Sequence, residues 1–486
     1  MFLGVPYGKV DKKNPFGRAS PFPKFNQTFE AFNDSLLCPQ KEEFNNTIVG
    51  TLDCLNLNMY VPFTASSNNR LPVLIFIFGG ALRFGSASKY VFGPKFLVKH
   101  DIILITLNHR LGPYGFMCLD NPEVPGNQGI KDQLLALRWI KNNIEEFGGD
   151  VNKITLSGQS AGSMSVDLQI YAPAEILFQQ AILQSGTVLT PFLFVNPGNE
   201  GPLQLAKSLG FETNDVNKAL SFLATADTND VIAASENNNL SFKACVEKRF
   251  LNVEPIITDY PINLLAPKVK NITILIGFNE DEEVRTYGKD DADLNGDNLF
   301  AKYIKAFFDF DNCTYHKMKT ILKHFYFGDD EINNKTRRQI TDLASDLQGG
   351  YPVLRDLRKY FESGASTIFS YLFSYCGGRN YVKYKNNVSI GGAAHGDEIG
   401  YLFDVTFFQS AMSEGDRHMI DTMTTLWTNF VKYGNPTPER TELLPVKWDP
   451  VTRERWNYLL IDTDQNMCTR PFHQRMSFLD LFFTAN

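Results

Sequence analysis

Residues 153–172 read KITLSGQSAGSMSVDLQIYA, a β-branched run that passes through GQSAG (158–162) into a pattern of helical period. A sharp strand-to-helix turn can hold the Ser160 hydroxyl clear of the backbone, and Gly158 and Gly162 tolerate the crowding such a turn creates. A plain glycine-rich loop satisfies the same pattern, and with 35 glycines in the chain a chance match is common. The weight therefore falls on partners. A nucleophilic serine needs a general base, an acid to orient that base, and donors for the oxyanion that forms.

The surroundings of the turn read as alternating strands and helices. PVLIFIF (72–78), IILITL (102–107), KITLS (153–157), QAILQS (180–185) and ITILIG (272–277) are apolar without alternation, as strands buried on both faces are. Between the second and third lies a helix over 126–150, with Ile130, Leu134, Leu137, Ile140 and Ile144 at helical spacing and a stop at Gly148-Gly149. The sequence therefore predicts an α/β fold with a mostly parallel sheet covered on both faces. Segments 190–260 and 284–350 are polar and helical in pattern, and read as insertions on that sheet. Met419, Ile420, Met423, Leu426, Trp427, Phe430 and Val431 form a core-facing helical stripe that stops at Gly434.

Seven histidines compete for the role of base. His395 lies in GGAAHGDEIGYLF (391–403), a small-residue loop where an imidazole stands free of its neighbours. An orienting acid is available among four consecutive candidates, Glu280, Asp281, Glu282 and Glu283, just after the strand at 272–277. Oxyanion donors are offered by Ala161 and by Gly79, Gly80 and Ala81, which follow the strand at 72–78. A phosphate-binding reading of these glycines fails, because G-x-G-x-x-G is absent and no lysine follows at the required spacing. The order glycine loop, serine, acid, histidine is that of α/β-hydrolases.

Bulk properties narrow the class. A chain of 486 residues, 43% hydrophobic, builds a large core, and a net charge of −7 argues against nucleic acid as a partner. No apolar run reaches the length of a bilayer span. Seven scattered cysteines without C-x-x-C spacing argue against a metal site, and no cofactor is expected. Eight N-x-[S/T] sequons, at Asn26, Asn33, Asn45, Asn239, Asn271, Asn312, Asn334 and Asn387, favour a secretory route; MFLGVPYGKVDKKNPF has no leader character, which leaves a cytosolic protein as the alternative expectation.

The chain resembles the type-B carboxylesterase/cholinesterase family, and within it insect carboxylesterases, including juvenile-hormone-esterase-like enzymes. FLGVPYG, DCLNLNMYVP, NHRLGPYGF, GQSAG, QAILQSGT, AAHGDEIGYLF and FVKYGNPTP carry the resemblance from end to end. It implies one α/β-hydrolase domain over 1–486, without the leader and first strands usual in the family. It implies a serine ester hydrolase with Ser160 as nucleophile, His395 as base and Glu282 as acid, the last chosen because it stands five residues beyond Gly277. The other three acids are then expected to face water. Gly80, Ala81 and Ala161 would supply the oxyanion hole, and Cys38 would pair with Cys54. Phe78, Leu52 and Glu283 depart from the family pattern. The Cys38–Cys54 loop lacks the tryptophan that binds choline in cholinesterases, and Gln159 is neutral, so the expected substrate is an uncharged, lipophilic ester: juvenile hormone, an odorant or a xenobiotic. The alternative is a catalytically inactive adhesion or recognition ectodomain, whose members typically lack part of the triad.

Overall fold

The computed structural model describes residues 1–289, 292–409 and 411–484. Its centre is a ten-stranded mixed sheet. In chain order the strands are β1 (Phe2–Pro6), β2 (Asn56–Tyr60), β3 (Leu71–Ile77), β4 (Ile103–Leu107) and β5 (Gly149–Gln159). They continue with β6 (Gln180–Gln184), β7 (Thr273–Asn279), β8 (Ile368–Phe373), β9 (Asn457–Ile461) and β10 (Asn466–Thr469). The spatial order is β1-β2-β4-β3-β5-β6-β7-β8-β9-β10. From β4 to β9 every pairing is parallel, while β1, β2 and β10 pair antiparallel at the two edges.

The unbroken apolar runs are explained by what covers the sheet. Val73, Ile75 and Ile77 of β3 pack into one core, and Leu74, Phe76 and the following Phe78 into the other. The two-residue period of a strand thus sends a single run to opposite faces, so both sets must be apolar. One face is covered by α1 (Gln128–Asn143) and α2 (Ala161–Tyr171), whose Ile130, Leu134, Leu137, Val166 and Ile170 join the first core. The other face is covered by α3 (Glu414–Tyr433). Its seven-residue stripe lies wholly in the second core, each side chain contributing roughly 1.5–3 kcal/mol on burial. Ser413 and Asp416 form a capping box at its start, and Gly434 ends it at φ 65°.

One sequence expectation needs adjustment. The strand expected at 153–157 begins at Gly149, so the glycine pair that ends the helix also opens the strand. Strands β1, β2, β8, β9 and β10 were not legible. In β2, Asn56 and Asn58 look like loop residues but are buried, with Asn58 Oδ1 accepting from Gly4 N–H at 2.8 Å and its amide donating to Ala87 O at 3.0 Å. The insertions are helical as expected. Three α-helices and two short 3-10 turns lie between β6 and β7, and Gly296–Phe307, Asn312–Phe327, Arg337–Ser345 and Tyr351–Glu362 are among the helices between β7 and β8.

Candidate active site

The parallel strands all point their C-terminal ends at one rim, where ligands of open α/β sheets bind. Ile77 of β3 stands level with Gly158 of β5, Gln159 with Gln184 of β6, and Gln184 with Gly277 of β7. Loops leaving β3, β5 and β7 therefore emerge side by side. Ser160 sits between β5 and α2 at φ 58°, ψ −128°, a conformation a non-glycine residue holds only at a cost. Its N–H donates to Gln184 O at 2.8 Å, and Gly158 and Gly162 close the turn. A Cβ on Gly162 would stand 2.1 Å from Ile77 O, and one on Gly158 would stand 2.4 Å from Gly162 C. Neither position admits a larger residue without moving β3 or α2.

His395 arrives from the loop before Ile399–Leu402. Its Nε2 is 2.7 Å from Ser160 Oγ, and its Nδ1 is 2.5 Å from Glu282 Oε2. An ionised carboxylate only accepts, so Nδ1 carries the proton and Nε2 is left to accept from the serine hydroxyl. Burial works against the imidazolium, but the Glu282 charge and hydrogen bond outweigh it, and the His395 pKa lies above its ordinary value. The two loops are stitched together: His395 N–H donates to Glu282 O at 3.1 Å, and Asp281 N–H to Ala393 O at 2.9 Å.

Behind Glu282 the hydrogen bonds continue into the core. Asn279 donates its backbone N–H to Glu282 Oε1 at 2.7 Å and its side-chain amide to Ala394 O at 2.7 Å and Glu398 Oε2 at 2.6 Å. Glu398 is fully buried, also accepts from Gln184 Nε2 at 3.0 Å, and has its pKa pushed up to about 7 by burial. Close to Ser160, in one cavity wall, the N–H groups of Gly80, Ala81 and Ala161 donate to no acceptor among the described residues. All three residues line a cavity of about 270 Å³ that holds Ser160 and His395 at its wall. A serine beside an imidazole can attack a carbonyl, and unpaired N–H groups in the same cavity wall are the kind of donors that stabilise the oxyanion.

A family model described as the carboxylesterase family matches residues 1–479. The chain belongs to the carboxylesterase family. It is 30% identical to a juvenile hormone esterase of Heliothis virescens over 92% of this chain and 83% of that protein. It is equally 30% identical to esterase FE4 of Myzus persicae, with the same coverage. Among solved structures it is similar to the juvenile hormone esterase of Manduca sexta with OTFP covalently attached. That likeness has a TM-score of 0.86 at 27% identity and covers 99% of this chain and 95% of the other. The protein is accordingly an enzyme, a carboxylic ester hydrolase.

In this carboxylesterase, Ser160, His395 and Glu282 form one hydrogen-bonded line, and Gly80, Ala81 and Ala161 line the same cavity. The neighbours of Glu282 do not face water. Asp281 and Glu283 are buried and Glu280 is partly so. Asp281 is held by Arg338 at 2.6 Å and by Gly392 N–H at 2.6 Å, because the helical insertion after β7 folds back over the acid cluster. The cluster is a junction between loops, not a solvated turn. Cys38 and Cys54 are bonded, and a second disulfide joins Cys118 to Cys245, a pairing with no local signal across 127 positions. Phe78 stacks on buried His109 with centroids 4.7 Å apart. Asn279 and Gln184 were also missed; each reads as an ordinary strand-end residue until the strands are set side by side.

Proposed function

We propose that this carboxylesterase hydrolyses lipophilic esters without a cationic head, with Ser160 as nucleophile, His395 as general base and Glu282 as the group that fixes its tautomer. In this mechanism Ser160 Oγ attacks the ester carbonyl as His395 Nε2 takes its proton. The tetrahedral oxyanion is held by the N–H groups of Gly80, Ala81 and Ala161. His395 then protonates the departing alcohol, and water repeats the cycle on the acyl-enzyme to release the acid. The observation that carries the reading is the unbroken line from Ser160 Oγ through His395 to Glu282, in a cavity also lined by three residues whose N–H groups have no acceptor among the described residues.

The exclusion of cations rests on the Cys38–Cys54 loop. Its Phe44 ring already has a cation over it, Lys385 Nζ at 4.5 Å from the centroid, and Lys385 also pairs with Glu43 of the same loop. A substrate ammonium would have to displace that lysine. Likeness to juvenile hormone esterases brings juvenile hormone into the proposed substrate class, beside odorant and xenobiotic esters. Secretion is proposed from the two disulfides and the sequons; no helix among the described residues is long and apolar enough to cross a membrane. The whole chain is proposed to act as one catalytic domain.

A fluorophosphonate probe tests the nucleophile. One adduct per chain is expected, mapped to Ser160, and Ser160→Ala should abolish both labelling and ester turnover. An adduct on another serine, or none on folded protein, refutes the assignment.

A further inference from the structure

One wall of the catalytic cavity carries a cation that pairs with no acid among the described residues. Lys243 is half-buried and lines the same cavity as Ser160 and His395. Its ammonium lies 5.7 Å from the centroid of the Phe192 ring, and it has no ion pair or hydrogen bond among the described residues. The acids that could serve it are otherwise engaged or placed. Glu236 is taken by Arg83, which reaches both carboxylate oxygens at 2.7 and 2.8 Å. Glu43 is taken by Lys385, and Glu283 lines the cavity without pairing to Lys243. Arg285, exposed at the same cavity, is a second cation without an ion pair among the described residues.

A lysine stem ordinarily carries its ammonium out to water. Here the backbone is pinned on both sides. Phe242 and Ala244 are buried, Val195 N–H donates to Ala244 O at 2.9 Å, and Cys245 is bonded to Cys118. Burial of Lys243 lowers its pKa, which reflects an ammonium held in a partly dry place without a counter-charge. A charge-assisted hydrogen bond made there is strong and selective.

We infer that Lys243 is a specificity residue that binds an anionic oxygen, a carboxylate, at the far end of an ester substrate whose carbonyl is attacked by Ser160. The lipophilic body of the substrate is retained; its distal end is what this subsite reads. The inference rests on the esterase reading above, and the test separates the two. Turnover is measured on p-nitrophenyl octanoate and on the p-nitrophenyl hemi-esters of adipic, suberic and sebacic acids. A second pair moves the charge to the alcohol side, octyl butyrate against the butyrate ester of ω-hydroxyoctanoate.

Lys243→Met should lower kcat/KM for the best charged ester of one pair by at least about tenfold, the scale of one hydrogen bond to a charged group. The neutral esters should stay within about twofold, and Lys243→Arg should keep most of the charged-ester activity. Equal losses on charged and neutral esters, or no loss on any charged ester, overturn the inference while leaving the esterase reading intact. A wild-type enzyme inert toward every ester in the panel refutes the esterase reading, and the subsite with it.

Discussion

Replacing Glu282 by glutamine asks one atom to do two jobs. In the native site Oε2 accepts from His395 Nδ1–H and Oε1 accepts from Asn279 N–H at 2.7 Å. An amide has one acceptor oxygen. If that oxygen serves Asn279, the amide NH₂ faces Nδ1, the proton moves to Nε2, and the imidazole can no longer take the serine proton. If it serves His395, the buried Asn279 N–H faces another donor, at a cost of about 1–3 kcal/mol. Either way the imidazolium formed during attack loses a full negative charge beside it. Two unit charges about 4 Å apart attract by roughly 4 kcal/mol at an effective dielectric near 20, of which an amide dipole keeps a part. The combined loss of about 3–6 kcal/mol lowers kcat by roughly 10²–10⁴-fold. The assay is kcat on a neutral short-chain ester, with thermal unfolding to show that the variant is folded. Glu280→Gln, on the same loop but outside the line, should stay within about threefold. A Glu282→Gln enzyme within about tenfold of wild type, or a Glu280→Gln enzyme equally impaired, refutes the reasoning.

The remaining expectations concern protons and cross-links. Because the His395 pKa lies above its ordinary value, the proposed base is protonated and idle at the acid end; the acid limb of kcat/KM should fall above about pH 6.5 in wild type and move lower in Glu282→Gln, where the Glu282 charge no longer offsets burial. Glu398 has its pKa raised by burial from 4.5 to about 7, so the folded state holds a proton that the unfolded chain releases. Its stabilisation is full below about pH 4.5 and is lost by about pH 7, a change of about 3 kcal/mol; Glu398→Gln should reduce the drop in unfolding temperature between about pH 5 and about pH 8, and an unchanged drop contradicts this. Peptide mapping without reduction should find Cys38–Cys54 and Cys118–Cys245 with Cys313, Cys376 and Cys468 alkylated. Removing the Cys118–Cys245 bond should cost about 3–5 kcal/mol, given the length of chain it closes.

What was legible in the sequence follows from local physics. Strands buried on both faces write themselves as unbroken apolar runs, so β3, β4, β6 and β7 could be read from composition alone. The α3 stripe, with its glycine stop, was legible for the same reason at helical period. Ser160 stood out because its turn forces glycine at 158 and 162, and His395 because a small-residue loop frames it. The acid did not. Four adjacent carboxyls are equivalent in one dimension, and only the resemblance to a family singled out Glu282.

Tertiary structure decided the rest, because it depends on which strand ends meet. Asn279 aligns Glu282 and reaches Glu398 only once β7 lies beside β6 and the His395 loop folds over both. Asp281 and Glu283 are buried by an insertion whose sequence says nothing of where it lands. The Cys118–Cys245 bond joins distant segments, and Lys243, two residues before Cys245, reaches the cavity wall only through that folding. A sequence records the preferences of each residue for its neighbours in the chain; the charges and hydrogen bonds of this site are set by neighbours in space.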